Sequence, residues 1–190
     1  MTARHIILTG PPGVGKSTLI QKACDAIKSK GISVQGFYTE EIRSGGRRTG
    51  FDVVTLDGKR GPLARVSEGG DGLPSSKKRD YKVGQYSVQL QSFEQIALPT
   101  LHLKDEKCVI VIDEIGKMEL FSQTFIQCVR SILDNDTTTV LATIPICKGK
   151  PIPFVEEIRH RQDSQVFTIS QSNRNSILGD ILQAVQASVK

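Results

Sequence analysis

The chain has 190 residues, four cysteines and a formal net charge of +5. This length predicts one domain that buries a full core without disulfides, and the widely spaced cysteines, with no CxxC pair, favour an intracellular, cytoplasmic protein without a zinc site. The basic residues form short clusters without interleaved aromatic side chains, which argues against nucleic-acid binding and suits a small polyanionic substrate.

The first predicted strand, from Arg4 to Thr9, leads into a glycine-rich turn. The N-terminal segment has no long apolar region, so we expect neither a signal peptide nor a membrane span. The turn fits the phosphate-binding pattern GxxxxGK[ST] and consists of Gly10, Pro11, Pro12, Gly13, Val14, Gly15, Lys16 and Ser17. A glycine-rich turn that merely ends a strand is the alternative, but the strand before it and the helical pattern after it favour a P-loop.

Two side chains of this turn predict magnesium-nucleotide chemistry. Lys16 is expected to contact the β- and γ-phosphates, while the Ser17 hydroxyl is a ligand suited to Mg²⁺. The three glycines should let the backbone curl so that its N–H groups point at the anion. A helix from Thr18 to Lys30 then ends at Gly31, and a strand from Ser33 to Tyr38 completes a βαβ unit.

The middle of the chain, about residues 39–91, predicts an antiparallel β insertion. Short alternating segments are separated by turn signals, and no helical period lasts three turns. Within the insertion, the glycine-rich and basic stretch from Ser67 to Asp80 predicts a loop, which is either a lid or a disordered segment.

The second half predicts alternating helices and strands. Ser92 begins a capping-box pattern, Pro99 should bend or end the helix that follows, and Ser122 should cap a later helix. The other predicted elements are strands at Cys108 to Ile112, Thr138 to Ile144 and Val166 to Ile169, and helices at Val155 to Arg161 and Asn175 to Val189. Together these elements predict one three-layer α/β domain, residues 1–190, with a mostly parallel sheet and a small antiparallel β insertion.

One apolar strand ends in two acids and resembles a Walker B segment. It consists of Val109, Ile110, Val111, Ile112 and Asp113, followed by Glu114. In open α/β sheets ligands bind at the carboxyl ends of strands, so Asp113 should lie beside the P-loop and reach the Mg²⁺ shell. Glu114 is placed to activate a water for attack on the γ-phosphorus, although a surface acid that caps the next segment is the alternative.

Three further residues are weaker candidates. Thr143 lies at the carboxyl end of the next strand and could place its hydroxyl near the γ-phosphate, or it is a plain strand-end threonine. Arg159 and Arg161 are candidates for neutralising transition-state charge in cis. The alternative for both is an exposed helix with guanidinium–carboxylate pairs at i, i+3 and i+4.

Four stretches together resemble the thermophilic-type nucleoside-triphosphatases: Gly10 to Ser17, Gly36 to Arg43, Gly50 to Val54, and Val111 to Leu120 with its Asp-Glu-Ile-Gly-Lys-Met-Glu block. The resemblance runs nearly end to end. It implies a RecA-like P-loop core, Mg²⁺ dependence and hydrolysis of several nucleoside triphosphates (ATP, GTP, CTP, UTP and TTP) to diphosphates. It also implies two nucleotide-contacting segments, Gly10 to Ser17 and about Val109 to Gly116, the second of which includes Ile115 and Gly116.

The sequence therefore predicts a Mg²⁺-dependent nucleoside-triphosphatase in which Lys16 and Glu114 are catalytic and Ser17 and Asp113 hold the metal. The chain has no Asn-Lys-x-Asp stretch of the kind that binds guanine in many GTP-binding proteins, which favours broad base tolerance. A P-loop kinase for a small molecule or nucleic acid, and a nucleotide-controlled binding module, are the alternatives. No obligate protein partner is evident from the sequence.

Overall fold

The computed structural model describes residues 3–67, 81–104 and 107–189. Their strands form one nine-stranded sheet in the order β5-β6-β4-β3-β2-β7-β8-β1-β9. The strands are β1 His5–Gly10, β2 Ser33–Ser44, β3 Arg47–Thr55, β4 Arg60–Val66, β5 Lys82–Val83, β6 Tyr86–Val88, β7 Cys108–Asp113, β8 Thr139–Pro145 and β9 Ser164–Thr168. The α-helices are α1 Lys16–Ser29, α2 Leu90–Ala97, α3 Gln123–Asp134, α4 Pro153–Arg159 and α5 Leu178–Ser188.

Half of the sheet is parallel and carries the predicted motifs. β2, β7, β8, β1 and β9 pair in parallel, in that spatial order. The first two strands of the chain are thus parallel, as the predicted βαβ unit requires, but β7 and β8 lie between them. The carboxyl ends of β1, β7 and β8 therefore meet at one edge of the sheet.

The predicted β insertion is an antiparallel extension of the same sheet rather than a separate layer. β2 continues to Ser44, well past the predicted end at Tyr38, because its hydrogen bonds to β3 continue through the hairpin turn at Gly45 and Gly46. β4, β6 and the unpredicted short strand β5 complete the extension. The predicted loop or lid at Ser67 to Asp80 lies, from residue 68 on, outside the described residues.

The predicted capping box at Ser92 is wrong. Helix α2 begins at Leu90, so Ser92 lies inside the helix, and the N-cap residue Gln89 makes no side-chain capping bond. Glu94, which lies within the predicted box, accepts a hydrogen bond from the Ser122 hydroxyl at 2.9 Å. Ser122 also caps α3 as predicted, since its oxygen accepts from the Phe125 N–H at 3.0 Å.

Two apolar clusters, one on each face of the sheet, form the core and produce the predicted three-layer architecture. Phe37, Phe93 and Phe125 lie in the cluster that packs α2 and α3 against one face, with ring centroids 5.2–6.0 Å apart. Side chains of α1 and α5, including Ile20 and Val185, pack against the other face. Among the described residues, no helix combines the length and apolar character needed to cross a membrane.

Candidate functional site

The glycine-rich turn joins the end of β1 to the start of α1. Gly13 and Gly15 have φ angles of 77° and 112°, which residues with a side chain rarely adopt. Gly10 has a different role from the predicted one, because a Cβ atom there would lie 2.6 Å from the Ile169 carbonyl oxygen. Two glycines therefore shape the turn, and the third allows β1 to pack closely against the segment after β9.

Lys16 lies inside the turn at the first position of α1 and is 9% exposed. Its Nζ donates hydrogen bonds to the carbonyl oxygens of Gly10 at 2.7 Å and Pro11 at 3.4 Å. Burial lowers the pKa of the ammonium, while the nearby carboxylates of Glu114 and Asp113 act in the opposite direction. The side chain is thus a positive charge held at the mouth of the turn, next to two acids.

Asp113 is 2% exposed at the end of β7. Its Oδ1 accepts a hydrogen bond from the Thr143 hydroxyl at 2.6 Å, whereas its buried Oδ2 has no hydrogen-bond partner in the described part of the chain. Burial raises the pKa of Asp113, and the nearby hydroxyls of Thr143 and Ser17 oppose that rise. Asp113 therefore lies beside the predicted metal ligand Ser17 and has one oxygen free for a further partner.

Thr143, at the end of β8, supports Asp113. Its hydroxyl is fully buried and is occupied by the bond to Asp113, so it does not face the P-loop as an independent donor. The Thr143 carbonyl also accepts a hydrogen bond from the Ile115 N–H at 2.9 Å. This residue therefore holds both the metal-binding candidate and the segment that follows it.

Glu114 is half-buried rather than a surface acid. Burial raises its pKa, Lys16 lowers it, and Asp113 raises it further. Gly116 leaves the room that the Glu114 carboxylate occupies, since a Cβ at residue 116 would overlap the Glu114 Oε1 atom. The predicted catalytic pair, Lys16 and Glu114, is thus brought together with Asp113 at one edge of the sheet.

The two candidate arginines lie in different places. Arg159 lies at the margin of this site, where it donates to the Pro145 carbonyl at 2.8 Å and pairs with Glu156 at 3.3 Å, as the i, i+3 alternative predicted. Arg161 forms hydrogen bonds to Asp134 and Asp163 instead.

Arg161 belongs to the opposite end of the sheet. The main-chain carbonyl of its partner Asp163 accepts the N–H groups of Arg4 and His5, where β1 begins. The P-loop follows the other end of β1, about 17 Å away for a six-residue strand. The structure therefore does not bring Arg161 to the site, because the chain turns back after α4 to enter β9.

Two residues near the site had no predicted role. Glu119 is 5% exposed, and its Oε2 accepts a hydrogen bond from the Gly116 N–H at 3.2 Å. Arg174 follows β9 and donates to the Val14 carbonyl at 3.4 Å, with its Cδ close to Gly15. Glu119 could have been found from the sequence, because it is the last residue of the Asp-Glu-Ile-Gly-Lys-Met-Glu block. Arg174 lies in an irregular segment that has no recognisable pattern.

Replacing Glu119 with glutamine is expected to remove a pH-dependent loss of stability. Burial and the nearby Glu114 raise the pKa of Glu119 to about 8. Between its ordinary pKa and this value, the folded protein keeps a proton that the unfolded chain releases, so the free energy of unfolding falls as the pH rises. We expect Glu119→Gln to be more stable than the parent by about 3 kcal/mol near pH 7.

Urea unfolding of both proteins near pH 5 and near pH 8 checks this prediction. The stability difference should be small at the lower pH and grow toward the higher one. Glu157→Gln, which changes a partly exposed acid paired with Arg130, is the control and should keep the parent's decline with pH. A stability difference that does not change with pH would contradict the protonated form of Glu119.

A cleft of about 1030 Å³ contains these residues. It begins at the P-loop, passes the two acids, and continues between the β2–β3 hairpin and the segment after β8. Its lining includes Gly13, Lys16, Ser17, Asp113, Glu114 and Glu119. The glycine-rich turn and both acids therefore open onto one continuous space.

This fold and site define a P-loop α/β protein. A family model described as NTPase matches residues 5–182, and the chain belongs to that family. The human cancer-related nucleoside-triphosphatase is 59% identical, with 99% of this chain and 100% of the relative covered. The nucleoside-triphosphatase THEP1 of Thermotoga maritima is 44% identical, with 95% of each covered.

A solved structure is also similar. The solution structure of a human cancer-related nucleoside triphosphatase matches with a TM-score of 0.85 and 58% identity, over 99% of this chain and 100% of that one. The family resemblance and the α/β P-loop fold predicted from the sequence are therefore confirmed.

Proposed function

We propose that this enzyme hydrolyses several nucleoside triphosphates to the diphosphate and phosphate, with Mg²⁺ and with little preference for the base. The observation that carries the proposal is the convergence of Lys16, Asp113 and Glu114 at the P-loop end of one cleft. Phosphoryl transfer requires positioning and charge neutralisation more than covalent help from the protein.

The P-loop would bind the phosphates. The N–H groups at the start of α1 and the positive end of its dipole face the turn, which is a general anion-binding arrangement. Lys16 now donates to two carbonyls of the same turn, so it can exchange these bonds for phosphate oxygens with little movement of its backbone. Its charge would oppose the negative charge that develops as the terminal phosphate leaves.

Ser17 and Asp113 would hold the metal. The unpartnered, buried Oδ2 of Asp113 suits a hard cation, and Ser17 lies beside that carboxylate. The described residues contain no cluster of three or more His, Cys, Asp or Glu side chains for a metal, which agrees with Mg²⁺ that takes its other ligands from water and phosphate. Bound Mg²⁺ supplies charge neutralisation at the phosphate oxygens.

Glu114 would act as the general base. A water oxygen attacks the γ-phosphorus, its proton passes to the Glu114 carboxylate, and the bond from the γ-phosphorus to the bridging oxygen breaks. The products are the nucleoside diphosphate and inorganic phosphate. The position of Glu114, half-buried and within electrostatic reach of Lys16, supports this role.

Arg174 supports broad base tolerance. Its guanidinium lies beside Val14 and Gly15 on the β9 side of the P-loop, away from Glu114. With the terminal phosphate toward Glu114, the nucleoside extends to this side. A planar guanidinium can stack on any base, since every base has a π-face, and stacking does not read hydrogen-bonding edges.

Phosphate release from a panel of nucleoside triphosphates, with and without Mg²⁺, tests the proposal. The assay uses purified protein without any acceptor molecule, and Glu114→Gln is the control. Release from several triphosphates that requires Mg²⁺ and falls in the variant is the expected result. Tight nucleotide binding without phosphate release would overturn the proposal in favour of a kinase or a nucleotide-controlled binding module.

Thr143→Val is expected to weaken Mg²⁺ binding. Valine keeps the shape of threonine but removes the hydroxyl that donates to Asp113 Oδ1, so the carboxylate loses its orientation. Loss of such an outer contact reduces metal affinity by about 10-fold or more. Calorimetric Mg²⁺ titration with a non-hydrolysable triphosphate measures this, and Thr143→Ser should restore the affinity. Unchanged Mg²⁺ affinity with slower turnover would assign Thr143 a role at the phosphate instead.

A further inference from the structure

The cleft extends far beyond what a triphosphate and one water require. Tyr38 of β2 pairs with Asp113, the last residue of β7, but β2 continues for six more residues to Ser44. With β3, this forms a hairpin wall that projects about 20 Å beyond the end of β7. The full volume of about 1030 Å³ is at the upper end of the range for small-molecule sites, roughly 300–1000 Å³.

The outer part of the cleft has an apolar middle. Phe51 of β3, Leu63 of β4 and Tyr86 of β6 line the hairpin wall. The facing wall comes from the segments after β7 and β8 and from residues in or near α4, and its apolar members are Met118, Ile146, Ile152 and Val155. Such walls favour a ligand with an apolar or ring-shaped body.

In the outer part of the cleft, beyond Lys16, Asp113, Glu114 and Glu119, the unpaired charges are positive. Its acids at residues 40, 41 and 156 are each already paired with an arginine, at 3.3, 2.7 and 3.3 Å. Four basic side chains of this outer lining, by contrast, form no ion pair with any described residue: Arg48, Lys117, Lys148 and Lys150. An anionic ligand would find free cations, whereas a cationic one would find acids that already have partners.

Arg48 is held in place at the far end. Its Nε donates to the Tyr86 hydroxyl at 2.8 Å, and its guanidinium lies 5.3 Å from the Phe51 ring centroid and 5.6 Å from that of Tyr86. Its strand partner Arg43 lies five residues beyond Tyr38, about 17 Å along the strand from the level of Asp113. Arg48 is therefore too distant to serve the phosphates at the P-loop.

The order of the strands places this outer region on the side of the attacking nucleophile. Along the sheet, the P-loop follows β1, the acids follow β7, and the hairpin of β2 and β3 comes next. The attacking and leaving oxygens lie in line across the γ-phosphorus. Since Glu114 is the base in the proposed hydrolysis, the nucleophile enters from its side, and the outer cleft opens there.

We propose that the outer cleft binds a second small molecule, an organic alcohol with an apolar or ring-shaped body and a carboxylate or phosphate that contacts Arg48, and that its hydroxyl replaces water as the nucleophile. The hydroxyl oxygen bonds to the γ-phosphorus, its proton passes to Glu114, and the bond to the bridging oxygen breaks. The products are the phosphorylated alcohol and the nucleoside diphosphate. This inference rests on the proposed function for the role of Glu114, and hydrolysis remains the reaction when no alcohol is bound.

A fluorescent aromatic anion tests the site itself. Anilinonaphthalene sulfonate should bind the folded protein while a non-hydrolysable triphosphate occupies the P-loop, and Arg48→Ala should weaken that binding by about 10-fold. Arg130→Ala is the matched control, because Arg130 also lies over a phenylalanine ring, at 5.0 Å from Phe154, and is not part of the cleft lining. Thermal unfolding of each variant, with Arg48→Lys as a milder change, separates loss of binding from loss of fold.

Product analysis tests the transfer. Each of three alcohols is added as a candidate acceptor: p-hydroxymethylbenzoate and phenyllactate carry a carboxylate, and p-hydroxymethylphenyl phosphate carries a phosphate. Inorganic phosphate and nucleoside diphosphate are then measured in each reaction. For the parent, we expect more nucleoside diphosphate than inorganic phosphate, together with a phosphorylated alcohol in the mass spectrum. For Arg48→Ala, nucleoside diphosphate and inorganic phosphate should form in equal amounts.

Three outcomes are distinguishable. Normal hydrolysis without probe binding, or equal loss of binding in Arg48→Ala and Arg130→Ala, would overturn the second site. Probe binding with equal diphosphate and phosphate for all three alcohols would overturn the transfer. Absence of hydrolysis in every mixture would instead overturn the proposed function.

Discussion

Lys16→Ala is expected to lower kcat/KM for triphosphate hydrolysis by about 1000-fold or more. Lys16 is the one basic side chain enclosed by the P-loop in the described structure, where it is 9% exposed and lies next to Asp113 and Glu114. With alanine at this position, Asp113 and Glu114 would face the phosphates without the positive charge of Lys16. Ground-state binding should weaken as well, since Lys16 would contact the phosphates before and during transfer.

Steady-state kinetics and nucleotide titration of the variant measure both effects. Lys30→Ala is the control, because Lys30 is an exposed lysine at the opposite end of helix α1. Of the two carbonyls that lose their donor, that of Gly10 is buried and that of Pro11 is partly exposed, so thermal unfolding of the variant checks that it folds. A rate near that of the parent would contradict the role assigned to Lys16.

Glu114→Gln is expected to reduce kcat by about 100- to 10,000-fold while nucleotide binding is retained. Glutamine keeps the size of the side chain and the space beside Gly116 but cannot accept the proton from the attacking water. The P-loop and Lys16 are untouched, so the triphosphate should still bind. Removal of one negative charge near Lys16 should, if anything, strengthen that binding.

Single-turnover hydrolysis and a separate binding titration distinguish this role from a structural one. The base acts only in the chemical step, so the two measurements should respond differently. Glu157→Gln, at a partly exposed pair with Arg130, should change neither. Loss of binding together with loss of turnover would instead make Glu114 a structural residue of the segment after β7.

The local patterns predicted most of the fold and the centre of the site. The P-loop pattern requires a strand before it and a helix after it, and β1 and α1 occupy those places. The apolar run before Asp113 predicted a buried strand, and β7 is buried at every residue. These predictions succeeded because the signal for each element lies within the element itself.

Two predictions whose outcome depends on the tertiary structure do not match it. Ser92 and Gln95 fit a capping box, yet helix α2 begins earlier, at Leu90, and Glu94 accepts a hydrogen bond from Ser122, 28 positions away. Arg161 has charge and spacing suited to a catalytic arginine, but its partners Asp134 and Asp163 lie at the far end of the sheet. For Arg161, tertiary hydrogen bonds decided the outcome.

The sequence by itself determined the family, the glycine-rich turn and the strand that ends in two acids, because each is a contiguous pattern whose signal lies in its own residues. Only the tertiary structure decided that the Thr143 hydroxyl holds Asp113, that Glu119 is buried near Glu114, and that Arg48 lines the far end of the same cleft. The physical reason is the sheet order, which places strands distant in the chain side by side so that their ends form one site.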